Sequence, residues 1–498
     1  MHWPLLVLCL LISISNASKP NILFIYLDDF GWRDTSYAGS DFYETPNIDA
    51  LAENGMIFDN AYASSANCAP SRASMLTGQY SPRHEIYNVG TKPRGNPKFR
   101  RLEHIAGKNS LNPDVQTWAK FAKSHGYSTA SIGKWHLGQD PTIHGFDLNI
   151  GGSRSGSPPR GYFPPHGKVT GLESVEKDEY LTDTLTNETI KFIRSNAQKP
   201  WLVYLSHFSV HTPLQAKKKD IQKFADKAPG NLHNHVIMAA MIKAIDDGVG
   251  KIVSELKNLD IKERTIIVFY SDNGGYGPAT SMRPLKGYKG TYFEGGIRVP
   301  FFVNWPKIVN PQSRCSTPIT GVDIYPTLCD MINNDNKSKH NVDGVSIVPL
   351  LKGKKIPSRN IYWHFPAYLQ SYQQRQDEQK DPLFRSRPCS VVRSGKWKLI
   401  EYFETNEIEL FDLSEDIGES KNLSKNRQEV TKSLRNQLKE WRIKTKAAIP
   451  LKRNPLYDEK AERKAMDLSL IHISEPTRLL SSEDGGVGVK KKRGGGGG

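Results

Sequence analysis

The segment Asn21-Ile-Leu-Phe-Ile-Tyr-Leu27 runs without polar alternation straight into Asp28-Asp29. A strand of that texture is stable only when both of its faces are covered. Similar runs recur at Tyr127 to Ile132, Trp201 to Ser206, Thr265 to Ser271 and Phe301 to Trp305. Helical patterns separate them. Thr45-Pro46 opens one that Gly55 closes, Asp114 to His125 ends at Gly126, and His235 to Leu256 carries spaced Met, Ile and Val. Strands alternating with helices predict an α/β fold built on a large mixed, mostly parallel sheet flanked by helices. After about Lys355 the texture changes. Trp397 to Ile400 and Glu409 to Leu413 read as short strands, and Arg427 to Thr445 as an amphipathic helix. We therefore expect a main domain over 18–355 and, over 356–450, a smaller antiparallel sheet carrying one helix.

The two ends fall outside that scheme. Leu5 to Ile14 is a short apolar run followed by Ser15-Asn16-Ala17, the pattern of a secretory signal over residues 1–17 cleaved after Ala17. A run of about ten apolar residues cannot span a bilayer, so no stable membrane insertion is expected. The mature protein is expected to be secreted or to enter another extracytoplasmic compartment, a lysosome or periplasm. Residues 467–498 end in Lys490-Lys-Lys-Arg493 and a run of glycines without apolar periodicity, and read as a non-native tail.

The chain has 498 residues, 10% aromatics and 5 Cys, which excludes a disordered chain, a collagen and a small disulfide scaffold. Its 68 Lys+Arg against 52 Asp+Glu leave a net charge of +16. Charge of that sign favours a polyanionic partner, whether acidic glycan, anionic lipid or nucleic acid. No nucleic-acid-binding motif is present, and secretion argues against such a partner.

In open α/β sheets ligands bind beyond the carboxyl ends of the strands. Here those ends are strongly polar. The first run delivers Asp28 and Asp29, the Tyr127 run Lys134 and His136, the Trp201 run His207 and His211, and the Thr265 run Asp272 and Asn273. Taken singly, Asp-Asp and Asp-Asn-Gly-Gly are turn formers. Their shared place after buried strands makes them a candidate site, and an all-oxygen set suits a hard cation, Ca²⁺ ahead of Mg²⁺ and either ahead of zinc. Lys134 and Lys289 beside such a cation would hold a tetrahedral oxyanion, and His136 or His211 would protonate a leaving oxygen. Cys68-Ala-Pro-Ser-Arg72 offers a nucleophilic thiol or half of a disulfide, with Arg72 one helical turn further on.

From Lys19 to Thr445 the chain resembles the type I, formylglycine-dependent and arylsulfatase-like sulfatases of the alkaline-phosphatase-like superfamily. The resemblance is carried by Asn21 to Asp29, the Cys68 segment, Gly126-Tyr-Ser-Thr-Ala-Ser-Ile-Gly-Lys-Trp-His-Leu-Gly138, Val210-His-Thr-Pro213, Ser271-Asp-Asn-Gly-Gly275 and Lys289 to Pro300, in that order. It implies that a formylglycine-generating enzyme oxidises Cys68 and that Asp28, Asp29, Asp272, Asn273 and the modified Cys68 bind Ca²⁺. It further implies that Arg72 holds the formylglycine, His136 assists breakdown of its sulfated form, Lys134 and Lys289 grip sulfate, and His211 protonates the departing alcohol. The rival readings are a phosphoester or phosphonate hydrolase of the same superfamily, which would place Ser or Thr at position 68, and a non-catalytic binder of sulfated glycans.

The positive charge suits a sulfated carbohydrate or polysaccharide. Two segments are candidates for its rim: Tyr362-Trp-His-Phe-Pro-Ala-Tyr368, with His364 as the residue to test, and Gly151 to Arg160, with Arg154 or Arg160 reading anionic groups. Interdomain packing and an ordinary surface loop are the competing explanations. Cys315 and Cys329 are candidates to pair, leaving Cys389 free. Asn187, Asn336 and Asn422 head glycosylation triplets.

Overall fold

The computed structural model describes residues 19–166, 168–172, 179–333, 340–372 and 381–474. The candidate signal, Asn336 and residues 475–498 lie outside them. An eight-stranded sheet forms the centre, in the order Leu148–Ile150, Ser128–Gly133, Trp201–Ser206, Asn21–Leu27, Thr265–Ser271, Phe301–Asn304, Met56–Phe58 and Ser313–Cys315. The first five strands are parallel throughout, and Phe301–Asn304 runs antiparallel to both of its neighbours. Hydrophobic texture carries no information about strand direction, which is why that reversal was not predicted.

The Asn21 strand shows why its apolar run is unbroken. Leu23, Ile25 and Leu27 enter one core, shared with the helices Leu181–Ser195 and Val236–Asn258. Ile22, Phe24 and Tyr26 enter a second on the opposite face, shared with Cys68–Thr77, Trp118–Ser124 and Ile324–Asn333. Both cores exclude water completely from this strand, so the site at its end stands on a rigid base. The helix expected from Asp114 starts only at Trp118, because the Thr117 hydroxyl accepts the Lys120 amide and caps it there.

A second sheet, Ile361–Phe365, Cys389–Ser394, Trp397–Tyr402 and Ile408–Asp412, is antiparallel throughout. Leu434, Leu438 and Trp441 of the Gln428–Thr445 helix cover one face. Tyr62, Tyr292 and Ile297 from the main body cover the other. The helix Glu459–Ser474 enters the range read as a tail, and its Glu462 is buried against Arg101 and Arg387. Cys315 and Cys329 do not pair: they and Cys389 are free thiols, Cys315 on the edge strand and Cys329 buried in a helix. Among the described residues no helix is long and apolar enough to cross a membrane.

A buried ion cluster ties the second sheet to the main body, with Lys398 Nζ 3.0 Å from Glu294 and 2.8 Å from Glu419. Burial, opposed by Lys398 and reinforced by Glu294, raises Glu419 from 4.5 to about 7. The folded state thus keeps a proton that the unfolded chain gives up above pH 4.5, so this group's contribution to stability declines as pH rises from about 4.5 to about 7. Glu419→Gln is expected to flatten that decline, seen as a smaller difference between denaturation midpoints at pH 5 and pH 7.5 than in the parent.

Candidate active site

At the carboxyl end of the central strand Asp28 is completely buried, and Lys134 Nζ donates to its Oδ2 at 2.5 Å. Lys134 reaches that point because Gly133, with φ of +104°, turns the chain off its strand where an added Cβ would strike the Ser206 carbonyl. Arg72, also fully buried, donates from Nε and Nη2 to Asp272 Oδ2 at 3.1 and 2.8 Å. Its Nη1 donates to the Lys134 carbonyl, the Tyr204 hydroxyl and Ser206 Oγ. The guanidinium lies over the Tyr26 ring. Every arm of Arg72 is thus spent on holding the strand ends together, so it acts on the cluster as a positioning residue.

Cys68 opens the Cys68–Thr77 helix and is 2% exposed. Ligand atoms of Asp28, Cys68 and Asp272 all lie within 4.8 Å of one another. Burial pushes the Cys68 thiol up although Lys134 and Lys289 oppose it, so the unmodified side chain is an uncharged, weak nucleophile. Asp29, in the left-handed region at φ of +60°, stands outside that triangle. Lys289 Nζ holds its two oxygens at 2.6 and 2.7 Å, and Asn273 Nδ2 donates to it at 2.9 Å. Burial opposes ionisation of Asp29, but Lys289, His211 and Lys134 outweigh it and keep the carboxyl well below its ordinary range. Asp272 moves the other way, because burial and the Asp28 charge exceed the effect of Arg72.

Whether these residues suit a cation is decided by their acceptors. Asp28 Oδ1 and Asn273 Oδ1 are buried with no hydrogen-bond donor among the described residues. Orphaned buried acceptors are costly, and here they adjoin an excess of carboxylates. A hard cation liganded by oxygens fits both facts.

His136 and His211 border the cluster in neutral form. Burial, then Lys134 and Arg72, keep His136 far below the ordinary histidine range, and its Nδ1 has no partner among the described residues. Burial and Lys289 lower His211 to about 3 against the pull of Asp29, whose Oδ2 lies 3.8 Å from Nε2. His207 is buried and makes no side-chain hydrogen bond to the cluster among the described residues.

The rim expectations divide. His364 is not a rim residue: it is 3% exposed, Nδ1 meets Ser390 Oγ at 2.8 Å and Nε2 the Ala448 carbonyl at 2.9 Å. Tyr362 stacks on Trp441 at 4.7 Å and Trp363 Nε1 donates to the Ala63 carbonyl, so the aromatic segment packs the second sheet against its own helix and against the main body. The loop from Gly151 does reach the site. The Ser153 carbonyl accepts the His136 amide, and a Cβ on Gly156 would come within 2.5 Å of the His136 ring. Arg160 and Arg154 are exposed and make no polar contact among the described residues. Gly156→Ala is therefore expected to displace His136 and lower kcat by roughly 10- to 100-fold with little change in melting temperature. An unchanged kcat would show that the loop yields instead. Sequence reading missed the partners of Arg72, Tyr204 and Ser206, although both lie on a strand it had identified. It also missed Arg385, whose Nη1 donates to the Lys289 carbonyl at 3.2 Å.

The model of the sulfatase family matches residues 20–333, and that of the C-terminal part of N-sulphoglucosamine sulphohydrolase matches 288–444. A sulfatase of Formosa agariphila is 29% identical over 86% of this chain and 90% of its own length. The N-acetylgalactosamine-6-O-sulfatase of Bacteroides thetaiotaomicron is 27% identical over 84% of this chain and 92% of its own. The crystal structure of Ps i-CgsB in complex with k-i-k-neocarrahexaose superposes with a TM-score of 0.70 at 28% identity, covering 91% of this chain and 98% of that one. With the family match running from the central strand through the whole polar cluster, and relatives aligned over nearly their full length, the chain belongs to the sulfatase family and is a sulfuric ester hydrolase.

Proposed function

We propose that this enzyme removes sulfate from a sulfated carbohydrate, outside the cytosol, with Cys68 converted to formylglycine by a formylglycine-generating enzyme and Ca²⁺ held by Asp28, Asp29, Asp272, Asn273 and position 68. The observation that carries the reading is the buried triangle of Asp28, Cys68 and Asp272, with Lys134 and Lys289 on its flanks. When present, formylglycine supplies a hydrated aldehyde as nucleophile and the cation supplies positive charge beside it. The chain's own residues do the rest. Lys134 and Lys289 offer ammonium groups to the sulfate oxygens and hold the group in place while charge develops on the departing alcohol oxygen. Arg72 fixes Asp272 and the Lys134 backbone, so both are in place before substrate arrives. His136, neutral and desolvated, is the candidate base. His211 directs Nδ1 to the Thr212 carbonyl at 2.8 Å and leaves Nε2 facing Asp29 and the cluster. Negative charge arriving with the substrate favours a proton on Nε2, which then passes to the departing alkoxide.

The carbohydrate reading is supported by relatives named for N-acetylgalactosamine sulfate and by a neighbour crystallised with a neocarrahexaose. The net charge of +16 would concentrate such polyanions. The extracytoplasmic location is supported by the apolar run at Leu5 to Ile14. The test is the mass of the tryptic peptide Asp34 to Arg72 from a host with the formylglycine-generating enzyme, beside a Cys68→Ala control. An aldehyde or its hydrate at position 68 is the expected result. A free thiol or disulfide, in a host that converts a known sulfatase, would sink the mechanism.

A further inference from the structure

Two arginines on the lysine side of the site carry no carboxylate partner among the described residues. Arg385 spends Nη1 on the Lys289 carbonyl at 3.2 Å and Nε on the Gln370 carbonyl at 2.9 Å. Its guanidinium lies over the Tyr372 ring, 3.8 Å from the centroid. Tyr372 is fixed from elsewhere, stacked on Tyr288 at 5.7 Å and met edge-on by Tyr276 at 5.1 Å. The second arginine, Arg94, comes from a distant loop. That loop is seated against the strand carrying Arg385, since a Cβ on Gly95 would lie 2.5 Å from the Phe384 ring.

Arg94 is half-buried and makes no hydrogen bond or ion pair among the described residues. Burial and the Arg385 charge lower its guanidinium. Burial raises the Tyr372 hydroxyl, opposed by Arg385 and Lys289. Two like charges brought together while partly withdrawn from water repel each other. An arrangement of this kind is relieved by an anion between them, which a guanidinium fork binds with two parallel hydrogen bonds.

We propose that Arg94 and Arg385, ranged about Tyr372, form a second anion subsite next to the sulfate-gripping Lys289, and that it selects sugars carrying another sulfate or a carboxylate close to the scissile ester. The inference rests on the carbohydrate sulfatase reading above and adds to it the charge of the preferred substrate. The tyrosine stack keeps Arg385 from collapsing onto the lysine, and its hold on the Lys289 carbonyl sets the spacing between the two anion sites. A neutral substituent at that place would leave Arg94 half-buried with no hydrogen-bond acceptor and Arg385 with no counter-charge, which disfavours singly charged substrates.

The test compares kcat/KM on matched carrageenan-type and chondroitin-type disaccharides. In each pair both members carry the scissile sulfate, and one adds a second sulfate or, in a separate arm, a carboxylate. The parent enzyme is expected to favour the doubly charged member by roughly tenfold or more, chiefly through KM, and the two arms tell which anion it reads. Arg94→Gln and Arg385→Gln should each bring that ratio to within about twofold, and Arg94→Lys should keep part of it. The ratio is internal to each variant, so a general loss of activity or folded protein does not mimic the effect. A parent without preference, or variants that keep the full preference, overturns the subsite while leaving the sulfatase reading intact. A parent with formylglycine in place that hydrolyses no member of any pair overturns both.

Discussion

Cys68→Ala is expected to lower kcat by roughly 10⁴-fold or more on any sulfate ester the parent hydrolyses, as loss of a covalent nucleophile generally does. The fold should persist. Cys68 is buried at the first position of its helix, and alanine removes one atom without adding a polar group or breaking a hydrogen bond. The cost should be about 1 kcal/mol, a shift of a few degrees in melting temperature. The two readouts must therefore separate, with activity lost and the melting transition nearly unchanged. Residual activity within tenfold of the parent would mean that water or another side chain attacks sulfur, and that the triangle of Asp28, position 68 and Asp272 serves only to bind. The uncharged thiol strengthens the expectation. Burial holds its ionisation up even beside two lysines, so a parent left unmodified should be nearly as inactive as the alanine variant.

The sequence disclosed the parts of this site that follow buried strands, because an unbroken apolar run has a definite end and the residue after it has a definite place. Asp28, Lys134 and Asp272 follow that logic, and the structure brings them together with Cys68; His211, five residues beyond its strand, reaches Asp29 although His207, directly after the strand, makes no hydrogen bond to the cluster among the described residues. Legibility fell where position depends on packing between remote segments. His364 sits in an aromatic run whose composition suits a sugar-binding rim or a packed core equally well, and only the bonds to Ser390 and Ala448 decide it. Arg94, Tyr372 and Arg385 share no spacing or periodicity, since they meet through a loop, a strand edge and a tyrosine stack. The antiparallel course of Phe301–Asn304 was equally hidden, a direction set by the connection from Ser271 and not by the residues of the strand.

Arg72→Met is expected to destabilise the protein by roughly 3–5 kcal/mol and to abolish turnover, although this arginine has no free arm to offer a substrate. Methionine fills much of the same volume, so the loss isolates charge and hydrogen bonding from packing. Asp272 Oδ2 would lose both of its Arg72 donors, and Tyr204, Ser206 and the Lys134 carbonyl would lose the donor they share. Lys134 would remain as counter-charge to Asp28, but the carbonyl that Arg72 holds belongs to that lysine's own backbone, so the ammonium should lose its fixed position too. Arg72→Lys makes the contrast, since it keeps the charge without the fork and should recover part of the stability and little of the turnover. Urea denaturation with and without Ca²⁺ gives the decisive comparison. Arg72 and a bound cation are both positive neighbours of Asp272, so the Arg72→Met deficit should be largest in chelator and smaller at saturating Ca²⁺. A deficit independent of the ion would place the cation elsewhere, and a deficit below about 1 kcal/mol would mean that the buried carboxylates simply take up protons when their partner is removed.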